Sequence, residues 1–128
     1  MVDGCFDPLH HGHILYFKKA SQVGLPVFCN VTGDSYLSKK HKPLLKHEKR
    51  VLVIDSIKYI SYTYKSLIPT YKVLQILQPN SYIKGNDWKK RGLPSEELDV
   101  CNKYSIKIVF LDTVIDSSSN ILKEQNAQ

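Results

Sequence analysis

The chain has 128 residues, of which 42% are hydrophobic and 23% charged, and its formal net charge is +6 at pH 7. This size and balance are typical of one globular domain with one core, and the short apolar runs exclude a membrane span. The N-terminal residues lack the charged-then-apolar layout of a signal peptide. Three cysteines, odd in number and widely spaced, do not form a disulfide framework or a zinc knuckle, so we expect a reducing, cytoplasmic setting.

Short apolar runs alternate along the chain with stretches of helical periodicity. A first strand would end at Asp3, and since so few residues precede Gly4 we expect the native chain to begin further upstream or this domain to be excised. Ser95 is expected to open one helix, with Glu97 and Asp99 early in it. The further strands are predicted at 27–33, 81–85 and 106–112, and the helices at 12–23, 47–60, 70–78, 95–104 and from 117 to 123.

This alternation predicts the fold class and the place of the site. Strands that alternate with helices indicate βαβ units and a parallel sheet, so we expect a single α/β domain of the Rossmann-like, three-layer type over residues 1–128. In such sheets ligands bind beyond the carboxyl ends of the strands. Three polar stretches fall at predicted strand ends, namely 4–13, 85–87 and 117–119.

The opening segment 3–13, DGCFDPLHHGH, carries the most chemistry. Gly12 at a helix start lets the backbone approach a ligand, and the first N–H groups of a helix favour a phosphate. His10 and His13, three apart, would point to the same side, and each imidazole can donate to a phosphate oxygen. Asp7 would orient the turn, because a carboxylate repels an anion. From spacing alone, ordinary surface positions are the more common interpretation of such a histidine pair.

Other chemistries have less support in the sequence. A zinc site would need further ligands, and no metal-like spacing links the histidines to one. The chain contains neither a G-x-S-x-G elbow nor a GxxxxGK[ST] loop, which excludes the corresponding hydrolase and P-loop sites.

The positive charge favours anionic partners. Lysine and arginine fall in short groups at 18–19, 39–42 and 89–91, whereas the eight tyrosines are scattered. A nucleic-acid surface would be expected to show a continuous basic stripe with interleaved aromatic residues. We therefore favour a small anionic ligand over nucleic acid and over a membrane.

Three segments together carry a family resemblance. GCFDPLHHGH at 4–13 resembles the HxGH signature of the cytidylyltransferase-like nucleotidyltransferases, and KGNDW at 84–88 resembles their Gly-x-Asp-Trp turn. DSSSNIL at 116–122 resembles their serine- and threonine-rich element before the last helix. The order and spacing fit over nearly the whole chain. The likeness is greatest to glycerol-3-phosphate cytidylyltransferases and to the adenylyltransferase domains that form ADP-heptose, and archaeal FAD synthases are of similar scale.

The resemblance implies a reaction that joins an NTP, either CTP or ATP, to a small phosphorylated acceptor such as a sugar or polyol phosphate and releases pyrophosphate. Because the acceptor phosphate is already an anion, catalysis would consist of positioning and of neutralising charge on the reacting phosphates. The resemblance also implies Mg²⁺ that arrives with the NTP, held by its phosphates, and a homodimer.

The resemblance assigns roles residue by residue. It gives catalytic roles to His10, His13 and Lys42, and acceptor binding to Lys40. Arg50 matches an arginine in the helix after the basic loop, where a structural role is open. The implied nucleotide-binding residues are Gly4, Cys5, Phe6, Asp7, Gly12, Gly85, Asn86, Asp87, Ser117, Ser118 and Ser119.

Departures from the family pattern leave the substrate open. The stretch 112–115 reads Asp-Thr-Val-Ile where the glycerol-3-phosphate enzymes have Arg-Thr-Glu-Gly, and Lys58 and Ser61 replace an arginine and an aspartate of that subfamily. CTP and ATP therefore both remain open. The alternatives are a non-catalytic nucleotide-binding or regulatory domain of the same fold, an FAD-synthase-like adenylyltransferase, and, prompted by the charge, an RNA-binding fragment.

Overall fold

The structure is a computed structural model that describes residues 1–34 and 43–112. The strands in these ranges are β1 (Val2–Gly4), β2 (Phe28–Val31), β3 (Tyr62–Lys65), β4 (Ser81–Gly85) and β5 (Lys107–Leu111). The helices are α1 (His11–Val23), α2 (His47–Asp55), α3 (Thr70–Leu77), α4 (Asp87–Arg91) and α5 (Ser95–Lys103). Within the described ranges, no helix has the length and apolar character needed to cross a membrane.

The strands run parallel and place β1 at the centre of the sheet. β1 pairs with β2 and β2 with β3, while β4 pairs with β5. Met1 joins the two ladders, because its nitrogen donates to the Ser81 carbonyl at 2.6 Å and its carbonyl accepts from the Ile83 N–H at 2.9 Å. The order is therefore β3-β2-β1-β4-β5, and the chain reverses its direction of winding between β1 and β4. Ligands of open parallel sheets bind at such a reversal.

Helices cover both faces of the sheet, because successive strand residues point to opposite sides. The first core packs one face against α1 and α2 and contains Val2, Tyr16, Phe17, Ala20, Cys29, Val31 and Ile54. The second packs the other face against α3 and α5 and contains Met1, Val73, Leu74, Tyr82, Cys101 and Ile106. The predicted three-layer, Rossmann-like α/β fold is confirmed.

The helix predicted at 47–60 is wrong in its second half. α2 ends at Asp55, and the sequence analysis gave no indication of β3, which follows it. β3 is an edge strand whose Tyr62 and Lys65 are exposed, so it lacks the apolar run that marked the other strands. The helix expected from 117 lies outside the described residues.

One helix start differs from expectation by a residue. α1 begins at His11, one residue earlier than predicted, and Gly24 ends it with an N–H that donates to the Ala20 carbonyl at 3.3 Å. α5 begins at Ser95 as predicted, after Pro94, which makes no side-chain capping bond.

Candidate active site

The turn that leaves β1 is built around an aromatic ring. The Phe6 side chain is buried, and its ring contacts those of Phe17 and His13 edge-on at centroid distances of 5.2 and 5.1 Å. Gly4 is required beneath it, because a Cβ at Gly4 would lie 2.9 Å from Phe6 Cζ. Phe6 itself has a φ of 54°, an uncommon conformation for a residue with a side chain. The ring of Phe6 therefore positions the turn, and the expected backbone contacts of Cys5 and Phe6 to a nucleotide remain a prediction.

His10 and His13 cap the first turn of α1 with their rings. His10 Nδ1 accepts from the Gly12 N–H at 3.1 Å, and His13 Nδ1 accepts from the His10 N–H at 3.2 Å. The ring centroids lie 3.9 Å apart, so the expectation that both residues share one side is met. The Gly12 N–H, which we expected to face a ligand, is bonded to the His10 ring.

These bonds fix the tautomer of each ring. A neutral imidazole whose Nδ1 accepts a hydrogen bond carries its proton on Nε2, so Nε2 is the donor of both His10 and His13. His10 Nε2 is shielded from solvent, and a donor in such a place acts on a developing charge more strongly than one in water. The pair therefore consists of two neutral donors held by the backbone of their own helix.

The charge state of His13 follows from its surroundings. Burial, together with the neighbouring His10 and His11, lowers the pKa of His13 to about 3. His13 is therefore neutral at pH 7, and it acts as a hydrogen-bond donor and not as an imidazolium acid.

Asp7 ties this turn to the segment before α2. Its carboxylate is buried, and its two oxygens accept from the Leu44 N–H at 2.8 Å and the Leu45 N–H at 3.1 Å. The geometry agrees with an orienting role. The nucleotide-binding role that the resemblance gives Asp7 stays a prediction.

Arg50 of α2 joins the carboxyl ends of β1 and β2. Its guanidinium is buried and donates to the carbonyls of Cys5 at 2.7 Å, Thr32 at 2.8 Å and Leu45 at 3.1 Å. It also pairs with the Asp34 carboxylate at 2.5 Å. The sequence marked Arg50 only through the resemblance, because three of its four partners are backbone atoms that leave no trace in side-chain patterns.

A cavity of about 320 Å³ opens beyond the carboxyl ends of β2 and β3. His47 is held there by a 2.7 Å bond from its Nε2 to the Val31 carbonyl, and Lys65 lies 3.5 Å from Glu48. Asp34 connects this cavity to Arg50 and through it to the β1 turn. The sequence analysis missed the cavity, since β3 was not predicted. Its lining residues are Gly33, Asp34, His47, Glu48, Lys65, Ser66 and Leu67.

The predicted turn at Gly85, Asn86 and Asp87 lies at the end of β4, across the reversal from the histidines. Lys84 fixes the approach to it: its ammonium is 2.7 Å from the Asp3 carboxylate and 4.2 Å from the centre of the Trp88 ring. The fold thus brings the β1 turn and the β4 turn to neighbouring strands. The remaining predicted site residues, Lys40, Lys42, Ser117, Ser118 and Ser119, lie outside the described residues.

Metal ions are held in proteins by groups of histidine, cysteine or acidic side chains. Within residues 1–34 and 43–112, no group of three such side chains is arranged to hold a metal ion. Asp7, the carboxylate nearest in sequence to the histidines, accepts a backbone N–H with each of its oxygens. Mg²⁺ that arrives with the phosphates of a nucleotide stays a prediction.

Proteins of two known groups are similar in sequence to most of this chain. A FAD synthase from Aciduliprofundum boonei is 30% identical over 112 residues, which cover 84% of this chain and 72% of that protein. The bifunctional protein HldE of Aliarcobacter butzleri is 24% identical over 102 residues, or 76% of this chain, and this chain spans only about a fifth (21%) of its length.

A solved structure shares the fold. The lipopolysaccharide core biosynthesis protein from Thermoplasma volcanium matches with a TM-score of 0.72 and 26% identity, over 89% of this chain and 95% of that one. The sequence matches the model of the cytidylyltransferase-like family over residues 1–125. The chain therefore belongs to the cytidylyltransferase-like family.

Proposed function

We propose that this protein transfers a nucleotidyl group from an NTP to a small phosphorylated acceptor and releases pyrophosphate. The observation that carries the proposal is the pair of imidazoles at the start of α1, each fixed by a backbone N–H so that its donor is Nε2. A domain that only binds nucleotide has no need of two neutral donors held at the reversal point of the sheet.

In this reaction an oxygen of the acceptor phosphate attacks the α-phosphorus, and the bond to the bridging oxygen of the β-phosphate breaks. Negative charge develops on the α-phosphate and on the departing pyrophosphate. His10 and His13 donate Nε2–H bonds to these oxygens, while Asp7 and Arg50 hold the turn that carries the histidines. Neither histidine has to take up or lose a proton.

The turn at Gly85, Asn86 and Asp87 supplies the second half of the nucleotide site in this proposal. It lies on β4, next to β1 in the sheet. Lys42, Ser117, Ser118 and Ser119 would complete the contacts to the phosphates, as the resemblance implies, with Mg²⁺ neutralising part of the phosphate charge.

We place the acceptor in the cavity beyond β2 and β3. Lys65 supplies a cation there, and Lys40 would reach the same acceptor from the basic loop. At about 320 Å³ the cavity is at the small end of ligand sites, which favours a sugar or polyol phosphate over a flavin.

The test is pyrophosphate release from each of the four NTPs, in the presence of Mg²⁺, with glycerol 3-phosphate, a sugar 1-phosphate or flavin mononucleotide as acceptor. We expect release with CTP or ATP and one of the first two acceptors, and a strong loss in His13→Ala. Turnover with flavin mononucleotide alone would instead make the chain an FAD-synthase-like adenylyltransferase. Nucleotide binding without turnover on any acceptor would support the non-catalytic alternative.

A further inference from the structure

A buried polar network crosses from β1 through β4 to α5, away from the histidines. The Tyr82 hydroxyl lies 3.0 Å from Asp3 Oδ2 and 2.7 Å from Glu97 Oε1. The other oxygen of Asp3 pairs with Lys84 at 2.7 Å, with the two side chains only 8% and 6% exposed. Glu97 is half-buried although its neighbour Glu96 is exposed.

With both carboxyl groups ionised, this network has a single hydrogen for the two contacts of the Tyr82 oxygen. A tyrosine hydroxyl has one hydrogen, and an ionised carboxylate can only accept. If Asp3 and Glu97 were both ionised, the single hydrogen of Tyr82 would have to serve both contacts with its oxygen. A proton on one of the two carboxyl groups, donated to Tyr82, gives each contact its own hydrogen.

The neighbours of the two carboxyl groups decide which one holds that proton. Asp3 faces the Lys84 ammonium, which favours a charged carboxylate. None of the ion pairs among the described residues includes Glu97. The proton therefore belongs to Glu97.

The surroundings of Glu97 agree with this assignment. Burial raises the pKa of Glu97 most, and Asp3 adds to that effect. A hydrogen bond donated by Tyr82 to Glu97, the reverse of the direction inferred below, and the Lys84 ammonium lower it, and the net pKa lies above its ordinary value. The charged and titratable groups that act on Glu97 are Asp3 on β1, Tyr82 and Lys84 on β4, and Glu96 and Cys101 on its own helix. Burial likewise raises the pKa of Tyr82, which keeps its hydroxyl protonated.

We infer that Glu97 is a neutral carboxylic acid at pH 7 and a positioning residue for the turn that follows β4. Its O–H donates to the Tyr82 oxygen, Tyr82 donates to Asp3, and Lys84 donates to the other oxygen of Asp3. Lys84 directly precedes Gly85 and lies over the Trp88 ring, so the network fixes both ends of that turn. The role of the turn in nucleotide binding rests on the proposed function, whereas the protonation of Glu97 does not.

Carboxyl ¹³C NMR of glutamate-labelled protein tests the protonation directly. The chain has four glutamates, so few resonances need assignment. We expect one resonance to keep the chemical shift of a protonated carboxyl at pH 7 and to disappear in Glu97→Gln but not in Glu96→Gln. A Glu97 resonance that titrates like that of Glu96 would overturn the inference, whatever the protein does with nucleotides.

Stability against pH gives a second readout. Because the folded state holds the Glu97 proton more tightly than the unfolded state, stability from this group is complete below the ordinary pKa of 4.5 and falls as pH rises towards the folded pKa. The unfolding constant of the wild type, divided by that of Glu97→Gln, should rise by up to about tenfold per pH unit in that window. A ratio that stays constant from pH 5 to 8 contradicts a neutral Glu97.

Measurements of NTP affinity show whether Glu97 positions the turn after β4 or only stabilises the fold. Glu97→Ala should weaken NTP binding by roughly threefold to tenfold, the scale of one lost hydrogen bond, and Glu97→Gln should restore it because an amide N–H can donate to Tyr82. Glu96→Gln is the control in the same helical turn. Equal affinity in Glu97→Ala and the wild type would show that the network does not position the turn.

Discussion

At the scale of single residues, His10 and His13 each have two tasks. Serine, threonine, aspartate or asparagine usually caps a helix, yet here two imidazoles accept the backbone N–H groups. The use of Nδ1 for capping leaves Nε2 to carry the proton, so the same bonds that stabilise α1 also determine which atom donates. An alanine substitution therefore removes a cap and a donor together, and it cannot separate the two.

Substituting His10 with asparagine separates these tasks. An asparagine oxygen can accept from the Gly12 N–H, so His10→Asn should keep most of the stability that His10→Ala loses, about 1 kcal/mol for a cap. Both variants lack the Nε2 donor, and both should lose about 10²–10³ in kcat with little change in NTP affinity. Urea unfolding and steady-state kinetics measure the two effects, and near-normal kcat in His10→Asn would contradict the donor role.

His13 makes acid stability depend on pH. Its pKa in the folded protein, about 3, lies below its ordinary value of 6.5, so between these values the unfolded state binds more protons. His13 thus contributes stability that is complete above about pH 6.5 and is lost as pH falls towards 3. The unfolding constant should rise by up to about tenfold for each unit by which the pH falls within this window.

A matched variant isolates this contribution of His13. An asparagine at position 13 cannot take up a proton. In denaturant unfolding at a series of pH values, the unfolding free energy of His13→Asn should therefore fall less steeply with decreasing pH than that of the wild type. Lys19→Asn, at an exposed position on the same helix, is the control and should keep the wild-type slope. Identical slopes in all three proteins would mean that His13 is not held neutral.

At the scale of elements, the sequence predicts the helices and strands that have a clear apolar pattern. It does not predict the edge strand or the side-chain contacts between residues far apart in the chain. The strand at 81–85 and the helix at 95–104 were found within one residue. The strand is buried on both faces and lies between turn signals, and the helix begins after a proline with acidic residues in its first turn. β3 was missed because this edge strand has exposed ends and no apolar run. The contact between Tyr82 and Glu97 was missed because both residues look like ordinary surface positions in their own elements.

The turn after β1 and helix α2, which support the candidate active site, depend on Arg50. Its guanidinium satisfies the carbonyls of Cys5, Thr32 and Leu45, which come from three different segments. The ammonium of a lysine cannot reach all three, and an unsatisfied buried polar group costs about 1–3 kcal/mol. Arg50→Lys should therefore lose at least about 2 kcal/mol of unfolding free energy.

Activity provides the second measurement for Arg50→Lys. Since Cys5 lies in the β1 turn, its displacement should also lower kcat/KM for the proposed reaction. Lys49→Ala, exposed on the same helix, is the control and should change neither quantity appreciably. Stability within about 0.5 kcal/mol of the wild type would show that lysine or water replaces the lost bonds.

At the scale of the whole molecule, the site has two halves that meet where β1 lies beside β4. The β1 half contains the histidine turn, and the β4 half contains the turn at Gly85, Asn86 and Asp87. Backbone bonds from Met1 and the Asp3–Lys84 ion pair join the two strands. A nucleotide bound between the β1 turn and the β4 turn would contact both halves. Its binding should therefore increase the stability of the entire domain.

Thermal unfolding with NTP tests this two-part site. At 100 times its dissociation constant, a ligand that binds only the folded state stabilises it by about 2.7 kcal/mol, which raises Tm by on the order of 10 °C in a domain of this size. Gly12→Val, which adds a side chain where the nucleotide is expected to approach the β1 half, and Asp87→Ala on the β4 half should each reduce the shift. Lys107→Ala, exposed at the opposite end of the sheet, should retain it. If only the β1 variant lost the shift, the nucleotide would be bound by the histidine turn alone, and the β4 turn would have to be assigned to the fold and not to the ligand.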